Sequence, residues 1–291
     1  MNQHEVNAAP ANSEHVRVRL DISYDGTDFH GWASQKGDLR TVQGVLEDKL
    51  SLVTRHPITL VVAGRTDAGV HADGQVAHAD IPAEAFEQRS LARPEDLVRR
   101  LSRMLPPDIR LSAATSAPEG FDARFSALRR HYVYRVTTSD AGPRPVRSRD
   151  TAVWRKSVEQ DKVQSAADAL LGLNNFAAYC KAREGATTIR ELQKFEWRDV
   201  STASEPETYE AHVVADAFCW SMVRSLVGAC LTVGEGRRAQ SFTADLLEET
   251  ERSSAVPVAP ANGLNLVQVD YPVDADLAER AMATRAVRTQ G

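Results

Sequence analysis

The chain has 291 residues, 42% of them hydrophobic and 26% charged, with a formal net charge of −5. That balance fits a globular fold of one large or two modest domains and excludes a low-complexity or fibrous chain. No apolar run approaches the ~18 residues of a membrane helix, and the polar start lacks the basic-then-apolar order of a secretory signal.

Residues 1–15 read as a disordered tail. From Val16 the chain alternates, with Val16, Val18, Leu20, Ile22 and Tyr24 on one face and Arg17, Arg19, Asp21 and Ser23 on the other, which predicts a half-buried strand. Thr41 stands where a helix cap belongs, before Val42, Val45, Leu46, Leu50 and Val53 at helical spacing. Pro57 stops that helix. A strand from Ile58, a second over Gln75–Ile81 and a helix over Pro94–Leu105 follow. Strand, helix, strand, strand, helix, strand is the order of a ferredoxin-like α+β unit.

A related order recurs. His131–Thr138 reads as a strand, Val158–Leu171 as a helix, Arg190–Val200 and Tyr209–Phe218 as strands. Trp220–Val233 reads as a helix and Leu264–Tyr271 as a last strand. The expected architecture is therefore α+β, with two ferredoxin-like halves whose antiparallel sheets flank a central cleft. Its domains are 16–115 and 116–275, followed by a poorly packed tail over 276–291.

Charge is unevenly placed. Residues 121–156 hold nine Lys and Arg against three Asp, a local net of +6. Such a tract suits a phosphate backbone, and equally a loop whose charges pair with acidic neighbours. Tyr132 and Tyr134 within it favour RNA, because aromatics stack on bases. Two apart on one strand, they share a face, and Tyr134 reads as core. The cysteines, Cys180, Cys219 and Cys230, lack metal spacing and read as reduced thiols of a cytosolic protein.

The most informative segment is Val62-Ala63-Gly64-Arg65-Thr66-Asp67-Ala68-Gly69-Val70-His71-Ala72. A strand ends in a glycine, and a guanidinium and a carboxylate follow two residues apart. The residues alone fit either a turn in which Asp67 bonds its own backbone or a loop presenting one carboxylate. Arg224 sits at the edge of an apolar helical stripe, where a long charged side chain either snorkels or finds a partner. His71, Asp73 and His78 match no zinc or iron spacing.

Gly64–His71 resembles the signature of the tRNA pseudouridine synthase A family. So do the blocks around it, in family order over about residues 16–272. They are Tyr24–Trp32, Thr41–Glu47, Phe121–Ala127, Arg130–Tyr134, Met222–Gly228, and Ala259-Pro260 with Gly263-Leu264. An ordered set of this kind is far more specific than one motif. The resemblance implies the pseudouridine synthase fold and isomerisation of uridines 38, 39 and 40 in the tRNA anticodon stem-loop. It also implies a cytoplasmic homodimer with no cofactor, metal or membrane attachment.

Residue by residue, the resemblance makes Asp67 the catalytic carboxylate. Arg65 assists base flipping, Tyr132 stacks on the target uracil, and Arg224 pairs with Asp67 and aims it. Phe121, Asp122, Ala123, Arg124, Phe125 and Arg130 are expected at the RNA. The chain departs from the family at Trp32-Ala33-Ser34-Gln35, where Trp-Gln-x-Gln is usual. It departs again at Thr187, where an arginine often stands, so that an RNA contact there would be lost or would pass to Arg183 or Arg190. The alternatives are a synthase with shifted target positions, a non-catalytic RNA-binding or tRNA-folding module, and an aspartate-dependent hydrolase.

Overall fold

The alternating residues at the start form β1 (His15–Tyr24), with Val18, Leu20, Ile22 and Tyr24 buried. The structure, a computed structural model, describes residues 15–35, 37–181 and 187–289. The expected tail over 1–15 lies almost wholly outside the described residues. Thr41 caps α1 (Val42–Thr54), its hydroxyl accepting the Gly44 N–H at 3.2 Å. The helix stops before Pro57 because Arg55 takes a left-handed backbone (φ 65°) and closes the last turn on the Ser51 carbonyl.

Of the strand expected from Ile58, only β2 (Val61–Val62) is paired, against the long β3 (His71–Pro82). The helix expected over 94–105 shortens to α2 (Asp96–Leu101), and β4 (Ile109–Ser116) completes the first half. The second half opens with β5 (Arg129–Thr137) and a short β6 (Ala152–Val153). Then come α3 (Gln160–Asp168), β7 (Gly172–Asn175), β8 (Ile189–Asp199) and β9 (Thr208–Ala215). The chain closes with α4 (Met222–Gly234), α5 (Phe242–Asp245), β10 (Leu264–Asp270) and α6 (Leu277–Thr289).

The class is α+β, as the element order indicates, but the two sheets are one. Strands run β4-β1-β3-β10-β5-β9-β8-β7, with β2 on β3 and β6 on β5. The last long strand, β10, enters between the halves and joins them by a short parallel ladder, Asn265 to His71 and Leu266 to Ala72. Gly74 allows this approach, since a Cβ there would lie 2.2 Å from the Val267 carbonyl oxygen.

The segment over 276–291 is not a loose tail along its described length. It holds α6, with Leu277 and Ala281 buried. Its Leu277 carbonyl accepts the Ser126 hydroxyl at 3.1 Å, and Arg285 pairs with Asp122 at 2.7 Å. Burial of two apolar positions one helical turn apart gives α6 a packed face that its polar composition conceals.

Candidate active site

The Asp67 loop hangs between β2 and β3, fastened mainly through main-chain atoms. Ala63 N–H donates to the Val76 carbonyl (2.8 Å), Trp32 N–H to the Thr66 carbonyl (3.0 Å) and Val70 N–H to the Asp67 carbonyl (3.2 Å). The Gln75 amide donates to the Gly64 carbonyl (2.9 Å) and to the Tyr24 hydroxyl (3.1 Å), which shares a 2.8 Å bond with the Thr66 hydroxyl. Burial raises the Tyr24 phenol to about 12, so it stays protonated at neutral pH. The glycines of the Tyr24–Trp32 block are required by this contact. A Cβ on Gly26 would lie 2.0 Å from the Val70 carbonyl oxygen, and Gly31 has φ 91°.

Asp67 meets α4 at its first turn. Ser221 donates its hydroxyl to Asp67 Oδ2 at 3.2 Å, and Arg224 Nη1 lies 3.7 Å from the same oxygen. Arg224 and Asp67 are 157 positions apart in the chain. The contact is an ion pair rather than a direct hydrogen bond. Arg224 is itself held, its Nε donating to the Ala259 carbonyl at 2.7 Å while Ala259 N–H donates back to the Arg224 carbonyl at 3.0 Å. The Ala259-Pro260 block thus serves as a splint for α4, and Gly228 lets it pass, since a Cβ there would meet the Pro257 oxygen at 2.0 Å. The helix N-terminus also favours a carboxylate at this place.

Tyr132 stands on β5, nearly buried, with the Phe218 ring edge-on to it (centroids 5.2 Å apart, 90°). Burial, together with the neighbouring Tyr24 and the Asp67 charge, pushes its phenol well above the usual tyrosine range. Tyr134, read as core, is fully buried and donates to the Pro260 carbonyl at 3.0 Å. Arg65 is exposed on the same loop as Asp67, with no ion-pair partner among the described residues.

The residues expected at the RNA in 121–130 divide. Arg124 is exposed and Phe125 half-buried, whereas Phe121, Asp122, Ala123 and Arg130 are buried. Phe121 packs against His78 and Tyr271. Asp122 Oδ1 accepts the Arg124 and Phe125 N–H groups, both at 2.9 Å, and so shapes the turn. Arg130 donates to the carbonyls of Asp216 (2.7 Å), Ala63 (2.8 Å) and Arg124 (3.0 Å). It therefore clamps the base of the Asp67 loop to the chain leading into α4. These four side chains face the protein and make internal contacts.

Much of the basic tract is likewise satisfied internally. Arg129 pairs with Asp270 (3.0 Å), Arg135 with Glu205 (3.1 Å) and Glu210 (2.6 Å), and Arg149 with Asp25 and Asp28 (2.6 Å each). His71 acts as a strut. Its Nδ1 accepts the Gly26 N–H at 3.0 Å and its Nε2 lies 2.8 Å from the Arg149 carbonyl. At Thr187 the carbonyl accepts from Arg190 at 2.6 Å, and Arg183 lies outside the described residues.

Two features escaped the sequence reading. Ser221 holds the N-cap position of α4 with left-handed backbone (φ 63°), but its hydroxyl makes no capping bond and goes to Asp67 instead. A serine before an apolar helical run was a visible signal, but for a cap. Cys180 and Cys219, read as reduced thiols, are disulfide-bonded, with Cα atoms 5.7 Å apart across a separation of 39 residues. Only the folded chain brings them within bridging range. Cys230 is free and buried on α4.

An α+β sheet with a half-buried carboxylate held between its two halves is the arrangement of the pseudouridine synthase fold. A family model described as tRNA pseudouridine synthase matches residues 22–126 and 166–272. The chain is 67% identical over 275 residues to the tRNA pseudouridine synthase A of Corynebacterium glutamicum, covering 94% of this chain and 95% of the relative. It is 51% identical over 287 residues to the protein of the same name from Mycobacterium leprae (96% and 98%). A third, from Leifsonia xyli, is 50% identical over 287 residues (94% and 98%). The chain belongs to the tRNA pseudouridine synthase family and is an isomerase acting on tRNA.

Proposed function

We propose that this protein converts uridines 38, 39 and 40 of the tRNA anticodon stem-loop to pseudouridine, with Asp67 as the catalytic carboxylate. It works as a cytoplasmic homodimer. The observation that carries the reading is the meeting of Ser221 and Arg224 on one oxygen of Asp67, at 3.2 and 3.7 Å.

The reaction breaks the C1′–N1 bond, turns the uracil and joins C1′ to C5. C5 loses a proton and N1 gains one, so the balance needs no redox partner. A stem base must first leave its stack, which costs a few kcal/mol. Arg65, exposed two residues before Asp67, fills the space left and contacts phosphate. Tyr132 stacks on the extruded uracil. Its protonated phenol serves as a donor and not as a base. Arg224 and Ser221 occupy one oxygen of Asp67 and leave the other for the substrate. Attack at C1′, attack at C6 and removal of a 2′ proton all start from that oxygen.

The test is pseudouridine-specific chemical labelling of an unmodified tRNA transcript after incubation with the purified protein, read at single-nucleotide resolution. Signals confined to positions 38–40 are expected. Signals elsewhere mean a synthase with shifted targets, and free uracil or a cut strand means a hydrolase.

A further inference from the structure

Trp220 adjoins the site without helping to hold Asp67. The residue is 49% exposed, although it directly precedes Ser221, whose hydroxyl touches Asp67. A single exposed apolar residue ordinarily means little. This one is fixed in three ways. Lys181 Nζ lies 4.1 Å from its ring centroid, Lys181 N–H donates to its carbonyl at 3.0 Å, and the preceding residues of both segments, Cys180 and Cys219, are bonded to each other. An aromatic surface is thus ordered one residue from Ser221 before any ligand arrives, which lowers the entropy lost on binding. The exposed ammonium of Lys181 adds positive charge to it.

An ordered, half-exposed indole with a cation beside it has the two parts a nucleotide requires, a stacking surface for the base and a charge for the phosphate. We propose that Trp220 and Lys181 form a nucleobase-stacking subsite for a tRNA nucleotide adjacent to the isomerised uridine. Tyr132 takes the target base, and Trp220 takes a neighbour that undergoes no chemistry. The proposal rests on the reading of Asp67 as the reacting carboxylate, which places the target nucleotide next to Ser221.

The experiment measures the Kd for an unmodified tRNA transcript by filter retention, and kcat and KM for its isomerisation. It compares the full-length wild type with Trp220→Ala, Trp220→Phe and Lys181→Gln, with the thermal midpoint checking the fold. Trp220→Ala is expected to raise Kd and KM about 5- to 100-fold and to leave kcat within about threefold. Trp220→Phe should keep most of the affinity. Lys181→Gln, at the surface, should raise Kd severalfold and flatten the dependence of log Kd on log salt by about one phosphate contact. An unchanged Kd in Trp220→Ala, a fall in kcat at constant Kd, or an unchanged salt slope in Lys181→Gln would overturn the subsite. A separate Asp67→Asn variant keeps the two readings apart, since an error about Asp67 appears in kcat and an error about Trp220 in Kd.

Discussion

The two segments that meet at Asp67 are held by different means. The loop over 63–70 is fastened mainly through main-chain atoms, and glycines at positions 26 and 31 let other backbone lie against it. The entry to α4, residues 216–224, is fastened through side chains. Phe218 packs on Tyr132, Cys219 is bonded to Cys180, and Arg224 anchors on Ala259. A main-chain network fixes where the carboxylate stands. A side-chain network fixes what surrounds it, and can be altered one group at a time. Arg130 is the exception that spans both, with one guanidinium on the carbonyls of Ala63 and Asp216.

Removing that span is the harshest way to break the contrast. Arg130→Met should leave buried carbonyls without donors and cost about 3 kcal/mol. It should lower the thermal midpoint and cut tRNA turnover together, because both segments lose their common anchor. Arg224→Leu strikes only the side-chain network. Activity is expected to fall about 10- to 100-fold, with the midpoint little changed. Arg224→Lys should recover only part, since a point charge cannot bond Ala259 and face Asp67 as the planar fork does. Equal loss of stability in the two sets would contradict the division of labour.

The smallest effect lies outside both networks. His212, 3.4 Å away, and Arg135, bonded at 2.6 Å, hold the Glu210 carboxyl at about 2, below its ordinary 4.5. The Arg135 contact is the tighter. A depressed carboxylate stabilises the fold above its unfolded value and loses that contribution as pH falls through the folded one. Glu210→Gln should therefore be less stable by about 1–2 kcal/mol at pH 7. The difference should close between pH 4.5 and 2, and turnover at pH 7 should not change. Denaturant midpoints across that range check the sign.

The contrast also explains what the sequence made legible. For the Asp67 loop the residues alone left a plain turn and a carboxylate-presenting loop open, and the family resemblance chose between them. Its support is local, since the strand end, the glycines and the Tyr24–Trp32 block all lie within about fifty residues. Arg224 was placed only through the family resemblance, since nothing local ties it to a partner 157 positions away. Arg130 looked like part of a basic surface. Yet it shares a strand face with Tyr132 and Tyr134, and that alternation marked it as buried. Ser221 imitates a helix cap, and its true partner belongs to the other half. The Cys180–Cys219 bond depends on two loops meeting, which spacing does not encode. The single sheet was hidden because β10 is the last strand in the chain order yet lies between the halves.

The central claim is that the carboxylate of Asp67 performs the isomerisation. The most direct measurement is single-turnover formation of pseudouridine in a tRNA transcript by Asp67→Asn beside wild type, with tRNA affinity measured on the same preparations. The amide keeps the shape and removes the charge. The rate is expected to fall on the order of 1000-fold or more, with Kd within about threefold of wild type. A variant that forms pseudouridine within tenfold of the wild-type rate would contradict the assignment.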